Sequence, residues 1–168
     1  MILYPNLYLS DVTAITTDIL KKNKIKGLIL DVDNTLIDLD RKMNPKIIDW
    51  VTELKKEGIK FCIVSNTNKF EKVKGVAEKL DIPYFYFAKK PLKIGFHKAR
   101  NKMNLKEENI AAVGDQLMTD ILGANRCKMF SILVEPISQK EMMITKIKRP
   151  IEKLIIKRYV SKHVRGKV

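Results

Sequence analysis

Cysteine is scarce. The 168-residue chain has two, Cys62 and Cys127, far apart and without a CxxC pair. That spacing suggests neither a zinc site nor a disulfide framework, and reduced, buried thiols are expected. No apolar run approaches the ~18 residues of a membrane-spanning helix. The stretch from Met1 to Asp11 has no basic residue ahead of its apolar positions and no small-residue cleavage pattern, so no secretory signal is expected. A cytoplasmic protein, at most peripheral to the inner face of a membrane, is the resulting expectation. Two phosphate-binding devices are also missing, the GxxxxGK(S/T) loop and a GxGxxG after a strand. His97 and His163 have no spaced metal partners and read as surface residues.

What is present fits one globular domain: 45% apolar residues to fill a core and 31% charged residues to cover it. Lys and Arg number 33 against 19 Asp and Glu, a net charge of +14. That excess favours an anionic partner such as a phosphate ester, nucleic acid or acidic lipid, and says nothing about the fold.

Five short apolar segments rich in β-branched or aromatic residues read as strands: Lys26 to Asp31, Lys60 to Val64, Tyr84 to Phe87, Ile110 to Val113 and Phe130 to Val134. Helical spacing marks Asp11 to Lys22, Pro45 to Glu57, Asn68 to Leu80, Lys93 to Met103 and Thr119 to Asn125. Asn68 suits an N-cap, Pro45 a first helical turn and Gly58 a helix end. This alternation predicts an α/β fold, a Rossmann-like parallel sheet of about five strands with helices on both faces. In such sheets ligands sit outside the carboxyl ends of the strands.

Those ends carry chemistry. After the first strand comes Asp31-Val32-Asp33-Asn34-Thr35-Leu36, after the second Ser65-Asn66, after the third Lys89-Lys90-Pro91, and after the fourth the run Gly114 to Asp120. A phosphate ester resists hydrolysis because its charged oxygens repel a nucleophile, so a catalyst must neutralise them and protonate the leaving oxygen. Asp31 and Asp115 can hold Mg²⁺, which prefers oxygen ligands, and Lys90 can balance the remaining charge. Asp31 can attack phosphorus to form an aspartyl phosphate. Asp33, two residues on, can act as general acid and then activate water, and Ser65 can donate to the transferring group.

Plainer readings exist for each residue alone. An Asp-x-Asp-Asn loop opens calcium EF-hands, but here the sixth position is Leu36 rather than Gly and the twelfth Lys42 rather than Glu. Asp120 could merely favour a helix N-terminus, Ser65 could be a turn residue, and Lys90 a solvated one. A phosphate-accepting receiver domain would want its aspartate after the third strand, where only Lys89 and Lys90 stand. Joint placement at successive strand ends favours the catalytic reading.

The set resembles the haloacid dehalogenase superfamily: motif I, DxDx(T/V)L, at Asp31 to Leu36, the motif II hydroxyl at Ser65, the motif III lysine at Lys90, and the GDxxxxD motif IV at Asp115 with Asp120, in the family's order. The second aspartate of motif I, Asp33, is typical of its phosphatase branches. From residue 4 to about 136 the chain is similar to YqeG-type phosphatases of subfamily IIIA, which in turn are similar to phosphatidylglycerophosphate phosphatases. Thr67, Met118 and Cys127-Lys128 depart from the expected pattern, none at a catalytic position. The resemblance implies Asp31, Asp33, Ser65 and Lys90 as catalytic residues and Mg²⁺ held by Asp31, Asp33 (through its backbone carbonyl), Asp115 and Asp120. Asn34 and Asn66 are candidates for substrate binding.

Superfamily members often insert a cap between motifs I and II or between II and III. Here one helix and one strand fill each interval, so a capless, open site is expected in a catalytic domain of residues 1–137.

The extension, residues 138–168, carries ten Lys/Arg and two Glu. Ile147, Ile151, Leu154, Ile155 and Tyr159 fall near helical spacing, with Pro150 placed as a first-turn proline. Three readings stay open for this stripe: docking on the domain, lying on an anionic membrane, or binding nucleic acid, for which interleaved aromatics are lacking. The functional expectation is a Mg²⁺-dependent phosphomonoesterase, with phosphatidylglycerophosphate as the lead substrate. The alternatives are a phosphatase for a soluble ester and a non-catalytic phosphate- or nucleic-acid-binding protein.

Overall fold

Leu28 and Ile29 are neighbours in the chain and belong to opposite cores. A computed structural model of the protein describes residues 1–138 and 143–164, and the side chains of all of these but 143–149 and 164. Six parallel strands run β1 (Leu7–Leu9), β2 (Gly27–Leu30), β3 (Lys60–Val64), β4 (Tyr84–Phe85), β5 (Ile110–Gly114) and β6 (Phe130–Val134), ordered β1-β6-β5-β2-β3-β4. Successive side chains alternate across a strand. Leu28, Leu30, Phe61, Ile63, Ala111, Val113 and Ile132 therefore face one side. Ile29, Cys62, Val64, Ile110 and Ala112 face the other.

Each face has its own helices. On the first lie α1 (Thr17–Lys22), α2 (Pro45–Lys56) and α3 (Phe70–Leu80), contributing Leu20, Trp50, Val51, Leu54, Val73, Ala77 and Leu80. On the second lie α4 (Lys93–Met103) and the short α5 (Leu122–Arg126), contributing Phe96, Ala99, Met103 and Ala124. Both thiols are buried and unpaired, as expected. Asn44 caps α2 by accepting from the Lys46 N–H at 3.0 Å, Pro45 opens it, and Gly58, at φ +84°, follows its end.

Several boundaries differ from expectation. β1 was invisible because three residues are too few to show a period; it pairs along β6, Leu7 beside Ile132 and Leu9 beside Val134. The segment Asp11 to Lys22 is two pieces. Asp11 caps a 3-10 turn at Val12–Ala14, Ile15 is extended, and Thr16 caps α1. Asn68 is not the cap of α3: Lys69 stands there, without a side-chain cap bond. The third strand ends at Phe85, before Phe87 turns left-handed at φ +50°.

The last helix, α6 (Met143–Val164), corrects the reading of Pro150. The proline lies inside the helix, with helical residues on both sides, and does not open it. Proline removes one intrahelical bond, and here the helix continues past that loss. Ile155 and Ile156 pack against Leu117, Ile121 and Leu133, and the Tyr159 ring meets Tyr4 edge-on at 5.7 Å. Ile151 and Leu154 face solvent, 54% and 57% exposed. Ile147, also part of the expected stripe, falls outside the described side chains. No helix among the described residues is long and apolar enough to cross a membrane.

Candidate active site

β2 delivers Asp31, whose N–H donates to Val113 O at 3.0 Å and so extends the ladder by one residue. The chain then doubles back: the N–H groups of Leu36 and Ile37 donate to Val32 O at 2.9 and 3.2 Å, and Asn34, at φ +59°, donates to Ile37 O. Leu36 and Ile37 sink into the core. Apolar anchors thus hold the loop down while its aspartates stay on the rim. Thr35 Oγ1 donates to Asp115 Oδ1 at 3.5 Å, joining this loop to the end of β5.

Lys90 is fixed at its backbone before its side chain acts. Its N–H donates to Asn66 Oδ1 at 2.6 Å, and Asn66 Nδ2 donates to Lys90 O at 3.0 Å. Asn66, a candidate for substrate binding, therefore clamps the lysine's main chain. Lys90 Nζ reaches Asp31 Oδ1 at 2.8 Å and Asp120 Oδ1 at 2.6 Å. Ser65 is buried, and its Oγ accepts from the Thr67 N–H at 3.3 Å. Asn34 faces the segment before α6: its Oδ1 accepts from the Ser138 N–H at 3.2 Å and its carbonyl from Ile137.

Asp120 sits on a π-helical turn, Leu117–Ile121, that runs into α5. Its Oδ2 accepts from the Gln116 N–H at 3.2 Å, which ties its carboxylate back over the loop. At the start of that turn the Met118 N–H donates to Glu152 of α6 at 3.2 Å.

Asp31, Asp115 and Asp120, all buried, each bring a carboxylate oxygen within 4.8 Å of the others. Lys90 Nζ is bonded to two of these carboxylates, those of Asp31 and Asp120. Burial pushes Asp31 up to about 7, the charge of Asp120 adds to the rise, and Lys90 opposes it. Burial works against charge on Lys90 too, yet Asp120 and Asp31 outweigh it and hold the ammonium above its ordinary value. A cluster of hard oxygen donors suits a divalent cation such as Mg²⁺. Asp33 stands outside this cluster, its Oδ1 paired with Lys72 Nζ of α3 at 2.6 Å.

No cap is inserted into the rim among the described residues. Between Asp33 and Ser65 the described chain forms only α2 and β3, and between Ser65 and Lys90 only α3 and β4. A hollow of about 670 Å³ opens beside Thr35, lined also by Asp11, Asp38, Lys42, Lys46 and Glu135, and holds none of the clustered acids.

Comparison with known proteins establishes the family. The haloacid dehalogenase-like hydrolase family matches residues 39–128, which include Ser65, Lys90, Asp115 and Asp120. The chain belongs to that hydrolase family. It is 41% identical over 153 residues to the probable phosphatase YqeG of Bacillus subtilis (strain 168), covering 90% of this chain and 88% of that one. A match of that extent spans Asp31 and Asp33 as well. The chain is thus a phosphatase-type member, as its motifs implied. Among solved structures, an uncharacterized protein from Listeria monocytogenes serotype 4b is similar at TM-score 0.57 and 21% identity, over 71% of this chain and 85% of that one. The cobalt-bound deoxy-D-mannose-octulosonate 8-phosphate phosphatase of Haemophilus influenzae is similar at TM-score 0.50 and 18% identity, over 56% and 61%. Both likenesses concern the fold.

Sequence reading did not find two residues around the site, Lys72 and Glu152, or the role of a third, Gly114. Lys72 is one lysine among many on helices and carries no motif. Glu152 lies in a basic stretch where its acid looked incidental. The role of Gly114, named only as part of motif IV, could have been read, since a glycine directly before an aspartate at a strand end signals a close approach.

Proposed function

We propose that the protein is a Mg²⁺-dependent phosphomonoesterase acting through a phospho-Asp31 intermediate. The observation that carries this reading is the convergence of Asp31, Asp115 and Asp120 on one point, with Lys90 bonded to two of them. A divalent cation held by Asp31, Asp115, Asp120 and the Asp33 carbonyl would offset charge on the phosphoryl oxygens. Asp31 attacks phosphorus as the P–O ester bond breaks, and Asp33 gives its proton to the departing alcohol oxygen. Asp33, now a carboxylate, takes a proton from water, whose oxygen attacks phosphorus and frees inorganic phosphate and Asp31. Ser65 donates to the transferring group. Lys90 keeps Asp31 in place and balances its charge. Asn34 and Asn66 serve the substrate from the loop ends they brace.

The lead substrate is a phosphorylated lipid head group, with phosphatidylglycerophosphate first. Support comes from the lack of an inserted cap among the described residues, which leaves room for a group projecting from a larger body. Phe87, Leu92 and Ile94 are exposed on either side of Lys90. The α6 face that carries Ile151 and Leu154 also bears the exposed Lys153, Lys157 and Arg158. In this reading residues 138–168 are a basic extension that rests α6 on an anionic membrane from the cytoplasmic side. Purified protein should be screened with phosphatidylglycerophosphate, sugar phosphates, nucleotides and phosphopeptides, with and without EDTA, beside Asp31→Asn. Metal-dependent phosphate release that Asp31→Asn abolishes supports the reading. Turnover of that variant within tenfold of wild type contradicts it.

A further inference from the structure

Asp33 has the freest side chain of the motif I aspartates, 38% exposed against 10% for Asp31. A proton-transfer group needs a defined place, because transfer requires hydrogen-bond reach of the leaving oxygen. The side chain that supplies one belongs to a different element. Lys72, in the first turn of α3, is 12% exposed and sets its ammonium 2.6 Å from Asp33 Oδ1. Among the described residues Asp33 is its only salt-bridge partner. A lysine kept this far from water, on a rim where solvent is near, is committed to one geometry.

The geometry points to Lys72 as the positioning residue for Asp33. By holding Oδ1, Lys72 leaves Oδ2 as the oxygen that carries the proton. A protonated carboxyl keeps this bond, since its carbonyl oxygen still accepts from an ammonium. Both half-reactions can therefore run with Asp33 in the same rotamer, Oδ2 giving its proton to the alcohol oxygen and later taking one from water. Lys72 acts through Asp33 and touches neither phosphorus nor the clustered acids. This assignment rests on the proposed role of Asp33 as general acid and base.

The test uses leaving groups of different need. Phenoxide requires protonation far more than p-nitrophenoxide, and kcat/KM reports transfer to Asp31, the step in which the leaving group departs. For Lys72→Met, kcat/KM should fall about tenfold on phenyl phosphate and no more than about twofold on p-nitrophenyl phosphate, part of the range a general acid commands. Lys72→Arg should recover most of the loss. In an Asp33→Asn background, Lys72→Met should cost nothing further. Equal losses on both esters, or a full additional loss in that background, would mean that Lys72 serves the substrate's charge or the fold, and the assignment falls. If Lys72→Met does not fold, Lys72→Gln is read against the same criteria. Failure of the underlying reading shows separately, as an Asp33→Asn variant that loses no more on phenyl phosphate than on p-nitrophenyl phosphate.

Discussion

Gly114 and Asp120 meet with no room between them: a β carbon on Gly114 would collide with the Asp120 carboxyl group. The glycine at the end of β5 is therefore a seat for the acid that bonds Lys90 and closes the carboxylate cluster. Gly114→Ala should push Asp120 off Lys90 and open the cluster. We expect a stability loss of about 1–3 kcal/mol, as for other overpacked sites, with Mg²⁺ affinity by calorimetry reduced at least tenfold. Unchanged affinity in a folded variant would show that Asp120 does not contribute to the metal site.

Asp31 makes stability depend on pH in metal-free protein. Its folded value, raised to about 7, exceeds the unfolded value near 3.9. The folded state then binds the proton more tightly, so the contribution is complete below about pH 4 and is lost as pH rises through about 7. Between pH 5 and 8 in EDTA, Tm of the wild type should fall relative to that of Asp31→Asn. Saturating Mg²⁺ should reverse the trend, because the metal binds the ionised carboxylate. Parallel Tm curves for the two proteins in EDTA would contradict the burial of charge at Asp31.

Docking and the proposed membrane contact use different faces of α6. Glu152, Ile155, Ile156 and Tyr159 face the domain, whereas Lys153, Lys157 and Arg158 are exposed. Reversing those three charges to Glu should abolish sedimentation with anionic vesicles while leaving p-nitrophenyl phosphate turnover within twofold. At ~1 kcal/mol per well-placed basic residue the loss is easily measured. Added salt should weaken wild-type recruitment, since exposed charges are screened beyond about 8 to 10 Å. Sedimentation that survives charge reversal would end the membrane reading.

The parts of this protein that follow from local sequence were legible. Strands β2, β3, β5 and β6 are apolar runs, and the residues just past β2, β3 and β5 could be named because a parallel sheet sends its chemistry to one edge. Lys90 could be named with them, but its clamp could not. Asn66 and Lys90 lie 24 residues apart, and nothing in either segment announces that the amide will hold the lysine's backbone. Lys72 and Glu152 were hidden for the same reason: each meets its partner, Asp33 or Met118, across a long loop of chain. The missed β1 and the split at Ile15 are a different case. There the elements are three to six residues long, below the length at which a hydrophobic period can be read.

The most direct test is to find where the phosphoryl group goes. Protein mixed with p-nitrophenyl phosphate and Mg²⁺, quenched in acid within one turnover and digested, should yield a peptide containing Asp31 that is heavier by one phosphoryl group. Borohydride should reduce that acyl phosphate, and Asp31→Asn should show neither product. Phosphate released at the full rate with Asp31 unmodified throughout, or with the label on Ser65 instead, would contradict the account.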